Sequence, residues 1–180
     1  MQTTALRVLI VEDSEDDTEL IIRLLKKYDY SVYYERVQNA DQMKSALENN
    51  QWDVIISDFK MPGFSGIKAL EILNDYGLDI PFILVSGTIG EEIAVDAMKK
   101  GANDYIMKGN LSRLVPAIER EIKEAKIRIK ERNSQIEIIR LNRIYSVLSD
   151  INQMIVRTRE KQEIFDKACK IAVEKGKFKI

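Results

Sequence analysis

Apolar and polar residues follow two distinct rhythms along this chain. Short apolar runs recur at RVLIV (Arg7 to Val11), SVYYERV (Ser31 to Val37), DVIIS (Asp53 to Ser57), PFILVS (Pro81 to Ser86) and DYIM (Asp104 to Met107). Three of these runs are continuous rather than alternating, as in strands covered on both faces, which points to a mainly parallel sheet. The segments between them carry apolar residues at helical spacing: Leu20, Ile21, Leu24, Leu25 and Tyr28, then Ile67, Leu70, Ile72 and Leu73, then Ile93, Ala94, Ala97 and Met98. Five strands alternating with helices predict a doubly wound α/β layer fold.

After Asn110 the strand signals stop. From Leu111 to about Glu174 the chain is rich in Glu, Lys, Arg and Ile, with few turn residues. Pro116 falls where the first turns of a helix tolerate its missing N–H. One stripe, Ile118, Ile122, Ala125, Ile129, Ile136 and Ile139, keeps three-four spacing with Arg132 interrupting it. A second, Leu141, Ile144, Leu148, Ile151 and Ile155, runs in another register, and the change predicts a hinge near Ile138 to Leu141. The first stripe outlasts the flank of a five-stranded sheet, so a projecting helix that pairs with another chain is expected. The last segment, KQEIFDKACKIAVEKGKFKI, reads as an amphipathic helix ending near Gly176, with a strand starting after it. The expected organisation is a domain over residues 1–125, a helical linker or coiled coil over 126–158, and the start of a further domain over 159–180.

Composition narrows the chemistry. At 180 residues and 45% hydrophobic the chain can bury a real core. No run approaches the roughly 18 to 20 apolar residues that cross a bilayer, and the start, MQTTALRVLIVEDSEDD, turns acidic where a secretory leader stays apolar, so a cytoplasmic protein is expected. A single cysteine, Cys169, excludes an internal disulfide framework. With 0 histidines the commonest metal ligand and general base are missing, which weighs against zinc chemistry and Ser-His-Asp hydrolysis. The net charge of −1 hides an asymmetry: residues 1–110 carry 11 Lys+Arg against 19 Asp+Glu, and residues 111–180 carry 17 against 10. An acidic part and a basic part have different jobs.

In parallel α/β sheets functional groups gather beyond the carboxyl ends of the strands. The expected ends carry Glu12 and Asp13, then Asp58, then Ser86, then Lys108 just after Met107. Carboxylates crowded in this way raise one another's pKa unless a cation joins them. A hard divalent ion answers that need, and Mg²⁺ suits a carboxylate site that must also take a phosphate oxygen. Asp58 is the natural nucleophile for an aspartyl-phosphate, with metal and Lys108 neutralising charge on the phosphoryl oxygens. Singly, each residue has an ordinary explanation: Asp13 or Ser14 as a helix cap, Ser86 as a turn residue, Lys108 as a solvated charge. Their coincidence at four strand ends favours a site.

The motifs LIVEDS, ISDFKMPGFSG, ILVSG and DYIMKG resemble those of response-regulator receiver domains of two-component signalling, over about residues 5 to 125. That resemblance implies a flavodoxin-like, five-stranded parallel sheet of order 2-1-3-4-5, here with an extended C-terminal helical segment. It implies Asp58 as phosphoacceptor, and Mg²⁺ bound by Asp13, Asp58 and the backbone carbonyl of Lys60, with Glu12 acting through water. Ser86 would hydrogen-bond the phosphoryl group, Lys108 would pair with it, and Tyr105 would move inward as the switch aromatic. Three positions depart from the usual pattern. Gly109 stands where a proline, often preceded by a cis peptide, is common. Gly87 replaces a common alanine and, with Gly90, predicts a mobile SGTIGEE loop. Lys60, two residues after Asp58, can lean over the acceptor and alter the lifetime of the phosphorylated state.

The tail from Leu141 to Phe178 resembles the linker and first helix that lead into GAF sensory domains, as in sensor proteins that start with a receiver and often end in a histidine-kinase region. Lacking histidine, these residues need a phosphodonor from another chain, such as a histidine kinase or a phosphotransfer protein, from a further part of the same protein, or from a small phosphate donor. The expectation is a phosphoacceptor regulatory domain rather than an enzyme, homodimeric through its C-terminal helix. Nucleic acid is not an expected partner, because the tail's charges cover every face and no helix-turn-helix spacing interrupts it. Two other readings share the acidic cluster or the fold. One is a dimerisation scaffold with an unused pocket. The other is a Mg²⁺-dependent aspartyl-phosphate phosphatase, which would normally place a second carboxylate where Lys60 stands. A flavin or dinucleotide module would need a glycine-rich turn after the first strand, and that turn is acidic.

Overall fold

The structure, a computed structural model, describes residues 3–87, 91–157 and 161–174. Strands β1 (Thr4–Val11), β2 (Tyr30–Val37), β3 (Val54–Asp58), β4 (Phe82–Ser86) and β5 (Asp104–Met107) alternate with helices α1 (Glu15–Lys27), α2 (Ala40–Asn49), α3 (Gly66–Tyr76) and α4 (Glu91–Lys99). A 3₁₀ turn over Lys108–Arg113 leads into α5 (Leu114–Arg157), and α6 (Lys161–Glu174) follows. The five strands form one parallel sheet in the order β2-β1-β3-β4-β5, the expected 2-1-3-4-5.

Strand side chains alternate between the two faces, so each continuous apolar run feeds two cores. Leu9, Val11, Ile55, Phe82 and Leu84 pack with Met43, Leu47, Leu70, Leu73 and Ala97 of α2, α3 and α4. Their neighbours Val8, Ile10, Val54, Ile56, Ile83 and Val85 pack with Ile21, Ile22 and Leu25 of α1 and Leu114, Val115 and Ile118 of α5. The edge strand β2, whose sequence is not continuously apolar, has one face largely exposed. At that edge Tyr33 stacks on Trp52 with ring centroids 5.9 Å apart, and the buried indole donates to the Ala46 carbonyl at 2.9 Å.

Polar residues fix the ends of the elements. Ser14, Asn39 and Ser65 cap α1, α2 and α3, each accepting a backbone N–H three residues on. Glu15, Asp16 and Asp17 open α1 and Lys26 and Lys27 close it, matching its dipole. Asn103 Oδ1 accepts from the Phe82 N–H at 2.8 Å while its amide donates to Glu121 at 3.1 Å. Arg120 joins Glu121 to Asp104, so the starts of β4 and β5 are bound to α5.

The chain divides into two compact units, residues 1–127 and 128–180. The hinge expected near Ile138 to Leu141 is not there: α5 is one uninterrupted helix across those residues. No Gly or Pro follows Pro116 within it, so the change of apolar register alters the helix's partners and leaves its backbone continuous. The first stripe divides accordingly. Ile118 and Ala125 are buried within the first unit, whereas Ile129, Ile136 and Ile139 are 43%, 56% and 54% exposed. Among the described residues of the second unit Val147 is buried, with Ile144, Ile151 and Met154 partly covered; Leu148 and Ile155 of the expected second stripe are exposed. The expected strand after Gly176 lies outside the described residues, as do residues 88–90 of the SGTIGEE loop. No helix among the described residues is long and apolar enough to cross a membrane.

Candidate functional site

Strand register brings the candidate residues to one end of the sheet. Val11 lies opposite Ser57, Asp58 opposite Val85, and Ser86 opposite Met107. Glu12 and Asp58 therefore occupy equivalent levels just past the β1–β3 ladder, Ser86 ends β4, and Asp13 and Lys108 lie just beyond β1 and β5. The chain leaves β3 through a small hairpin in which Lys60–Met61 pairs antiparallel with Phe64–Ser65. Pro62 and Gly63 form its two-residue turn, with Gly63 at φ +71°. Gly66 then opens α3 hard against β3, and its N–H donates to the Phe59 carbonyl at 3.1 Å.

Five charged side chains meet here. Glu12, Asp13 and Asp58 each bring a carboxylate oxygen within 4.8 Å of the others. Lys108 Nζ donates to Glu12 Oε2 at 3.0 Å and to Asp17 Oδ2, and lies 3.3 Å from Asp58 Oδ2. Asp58 Oδ1 accepts the Phe59 N–H at 2.8 Å, which orients the carboxylate. Glu12 is buried, its other oxygen accepting the Ser14 N–H at 3.0 Å. Asp13 is exposed, and Arg36 on β2 donates to its backbone carbonyl at 3.1 Å.

Electrostatics follow from that crowding. Burial pushes the Glu12 carboxyl above its usual range, with the Ser14 N–H and Lys108 only partly opposing it and the charge of Asp58 adding to it. Burial alone would lower Lys108. Its hydrogen bonds to Asp17 and Glu12, with the charges of Glu12 and Asp58, outweigh that and hold the ammonium protonated far above neutrality. The donor set suits a hard cation: octahedral Mg²⁺ at roughly 2.1 Å from its ligands separates them by about 3 to 4 Å, which three carboxylates already within 4.8 Å of one another can meet by small side-chain rotations.

Of the residues singled out in the sequence, Glu12, Asp13, Asp58 and Lys108 converge directly. Ser86 is buried at the end of β4. Tyr105 is partly buried on the face covered by α2, α3 and α4, with its hydroxyl 3.8 Å from Met107 Sδ. The Lys60 side chain is exposed, and no hydrogen bond or ion pair among the described residues joins it to Asp58. Of the two candidate caps, Ser14 is the one whose side chain bonds the helix N-terminus. Asp17 was not singled out, because an acid in the first turn of a helix already has an explanation in the helix dipole. Its position four residues after Asp13, on the turn that rises beside the pocket, was the available signal.

The five-stranded parallel sheet is that of a signalling receiver, and the acidic cluster at its carboxyl end is consistent with a phosphoacceptor site. The chain belongs to the response regulator receiver domain family, whose model matches residues 8–119. It is 32% identical over 108 residues to the two-component response regulator ARR10 of Arabidopsis thaliana, a match over 57% of this chain and 18% of that protein. This chain thus spans about a fifth of that relative's length. Among solved structures it is similar to FixJ-N, at 31% identity and TM-score 0.58, covering 68% of this chain and 96% of that one. It is also similar to a response regulator receiver domain protein from Clostridium thermocellum, at 28% identity and TM-score 0.59, covering 68% and 98%. Receiver domains take a phosphoryl group from a histidine kinase and bind Mg²⁺ in an acidic pocket, for which Glu12, Asp13 and Asp58 are the candidate cluster.

Proposed function

We propose that this chain is a Mg²⁺-dependent phosphoacceptor whose Asp58 carboxylate takes a phosphoryl group from a histidine kinase, a phosphotransfer protein or a small phosphate donor. The observation that carries the reading is the meeting of Glu12, Asp13, Asp58 and Lys108 at the carboxyl end of one parallel sheet. An Asp58 oxygen attacks phosphorus, the bond to the donor breaks, and the donor keeps the electron pair. Asp13, Asp58 and the Lys60 carbonyl would hold the metal, with Glu12 acting through water. Bound there, Mg²⁺ supplies positive charge to the carboxylates and phosphoryl oxygens. Lys108 pairs with the phosphoryl group, the Ser86 hydroxyl turns to it, and Tyr105 fills the space that Ser86 leaves. The shift biases the surface of α4, β5 and the start of α5 between two states.

The output runs through the tail. Ile129, Ile136 and Ile139 leave an exposed apolar line on α5, which supports pairing with a second copy of the chain. We take residues 1–125 as the receiver, 126–158 as a linker able to form a coiled coil, and 159–180 as the entry to a GAF-like domain. On this reading the parent protein is a cytoplasmic sensor, with a histidine kinase as one form of output. The test is phosphorylation by acetyl phosphate with Mg²⁺, read by intact mass alongside oligomeric state. One phosphoryl group should add to the wild type and none to Asp58→Asn. Labelling of Asp58→Asn at the wild-type rate refutes the assignment, and an unphosphorylated wild type would leave a scaffold as the better reading.

A further inference from the structure

An ammonium has three N–H donors, and around Lys108 three carboxylates surround them: Glu12, Asp58 and Asp17. Glu12 and Asp58 belong to the acidic cluster that suits a cation, whereas Asp17 does not. Asp17 approaches from the first turn of α1, where its own backbone N–H is tied to Ser14 Oγ at 3.2 Å. With Leu20, Ile21, Val85 and Leu111 it walls the cleft along which the lysine stem lies. The walls are mainly apolar, so the ion pair is less screened there than in open water. Lys108 is the cationic partner of Asp17 among the described residues.

A phosphoryl group on Asp58 puts roughly two negative charges on its oxygens in place of the one on the carboxylate, and needs the ammonium. Glu12 and Asp58 would also be drawn to a cation held by the cluster, which would loosen their hold on Lys108, whereas Asp17 stands outside the cluster and would keep its own. Resting on the phosphoacceptor reading, we infer that Asp17 is a positioning residue that competes with the phosphoryl group for Lys108, and so sets how tightly the site holds that group. It steers the lysine stem toward the pocket, and its charge subtracts from what the lysine offers to the phosphoryl oxygens.

Asparagine at position 17 separates these two effects. It keeps the size and one oxygen acceptor, and removes only the charge. The experiment measures, by calorimetry in excess Mg²⁺, the affinity of the full chain for beryllofluoride, a mimic of the phosphoryl group. Asp17→Asn should bind it about threefold to tenfold more tightly than the wild type. Mg²⁺ affinity without beryllofluoride should stay within about twofold, because Asp17 is not in the cluster. Asp16→Asn removes the same charge from the same turn without touching Lys108 and should bind as the wild type does. In a Lys108→Met background the gain from Asp17→Asn should vanish. Unchanged or weaker binding by Asp17→Asn overturns the inference, as does an equal gain in Asp16→Asn or a gain that survives without Lys108. Binding by the wild type with no gain in Asp17→Asn sinks this inference alone; no binding by the wild type sinks the phosphoacceptor reading with it.

Discussion

Replacing Gly66 by alanine tests how closely α3 must approach the acceptor strand. An alanine Cβ there would lie 2.3 Å from Leu84 Cδ2, 2.6 Å from the Asp58 carbonyl oxygen and 3.1 Å from Ser57 Oγ. Leu84 is fully buried, and the Asp58 oxygen is backbone that also accepts the Ser57 hydroxyl at 2.9 Å, so neither neighbour can yield cheaply. To reach ordinary contact the helix start and the end of β3 must part by about 1 Å. Overpacking of this kind costs about 1 to 3 kcal/mol, and the gain in helix propensity from Gly to Ala, up to about 1 kcal/mol, offsets part of it. A net loss of about 1 to 2 kcal/mol should lower the urea midpoint by about 0.5 to 1 M for a typical slope. Mg²⁺ affinity should fall as well, since Asp58 rides on the displaced strand end. Gly109→Ala is the control: nothing lies within 4 Å of its Cβ and its φ is not positive, so its stability should stay within about 0.5 kcal/mol of the wild type. Wild-type stability and Mg²⁺ binding in Gly66→Ala would refute the close approach, and so would equal damage from Gly109→Ala.

Mg²⁺ at ten times its dissociation constant should stabilise the wild type by about 1.4 kcal/mol through mass action. Asp13→Asn should lose most of that gain in thermal melts with and without the ion. Glu12 has a folded-state pKa raised above 4.5, so the folded chain binds this proton more readily than the unfolded one. Its contribution is therefore most favourable at low pH and declines as pH rises from 4.5 through the raised value. The stability of Glu12→Gln relative to wild type should rise across that window, and a flat difference in urea midpoints would contradict it. Asn103→Ala strips the buried Phe82 N–H and Glu121 of a partner, and chemical denaturation should show a loss of about 2 to 3 kcal/mol.

The sheet was legible because parallel strands covered on both faces leave continuous apolar runs, and RVLIV, DVIIS and PFILVS have few other uses. The site was legible for the same reason: once the strand ends are known, Glu12, Asp13, Asp58 and Lys108 fall at one edge. Burial on both sides of the sheet also fixes strand register, which is what brings those ends level. The tail was harder. A stripe of isoleucines records that a face is apolar and not what covers it, so Ile118 against the sheet and Ile136 in the open look alike in sequence. The register change near Leu141 likewise suggested a hinge, yet without Gly or Pro the helix passes through it unbroken. Asp17 escaped notice because its local role in opening α1 was sufficient by itself; its tertiary role needed the position of Lys108, 91 residues away.

Trp52 is the chain's only tryptophan. Its indole shares a core with Met61 and Phe64 of the hairpin that follows Asp58, and Tyr105 packs against that same core. Emission from this chain is therefore an optical record of one spot, read without any label. Loss of packing around the indole, which Tyr33 and the Ala46 carbonyl hold at the β2 edge, should shift that emission to the red on unfolding. A single stopped-flow trace can thus follow the unfolding of residues 1–127.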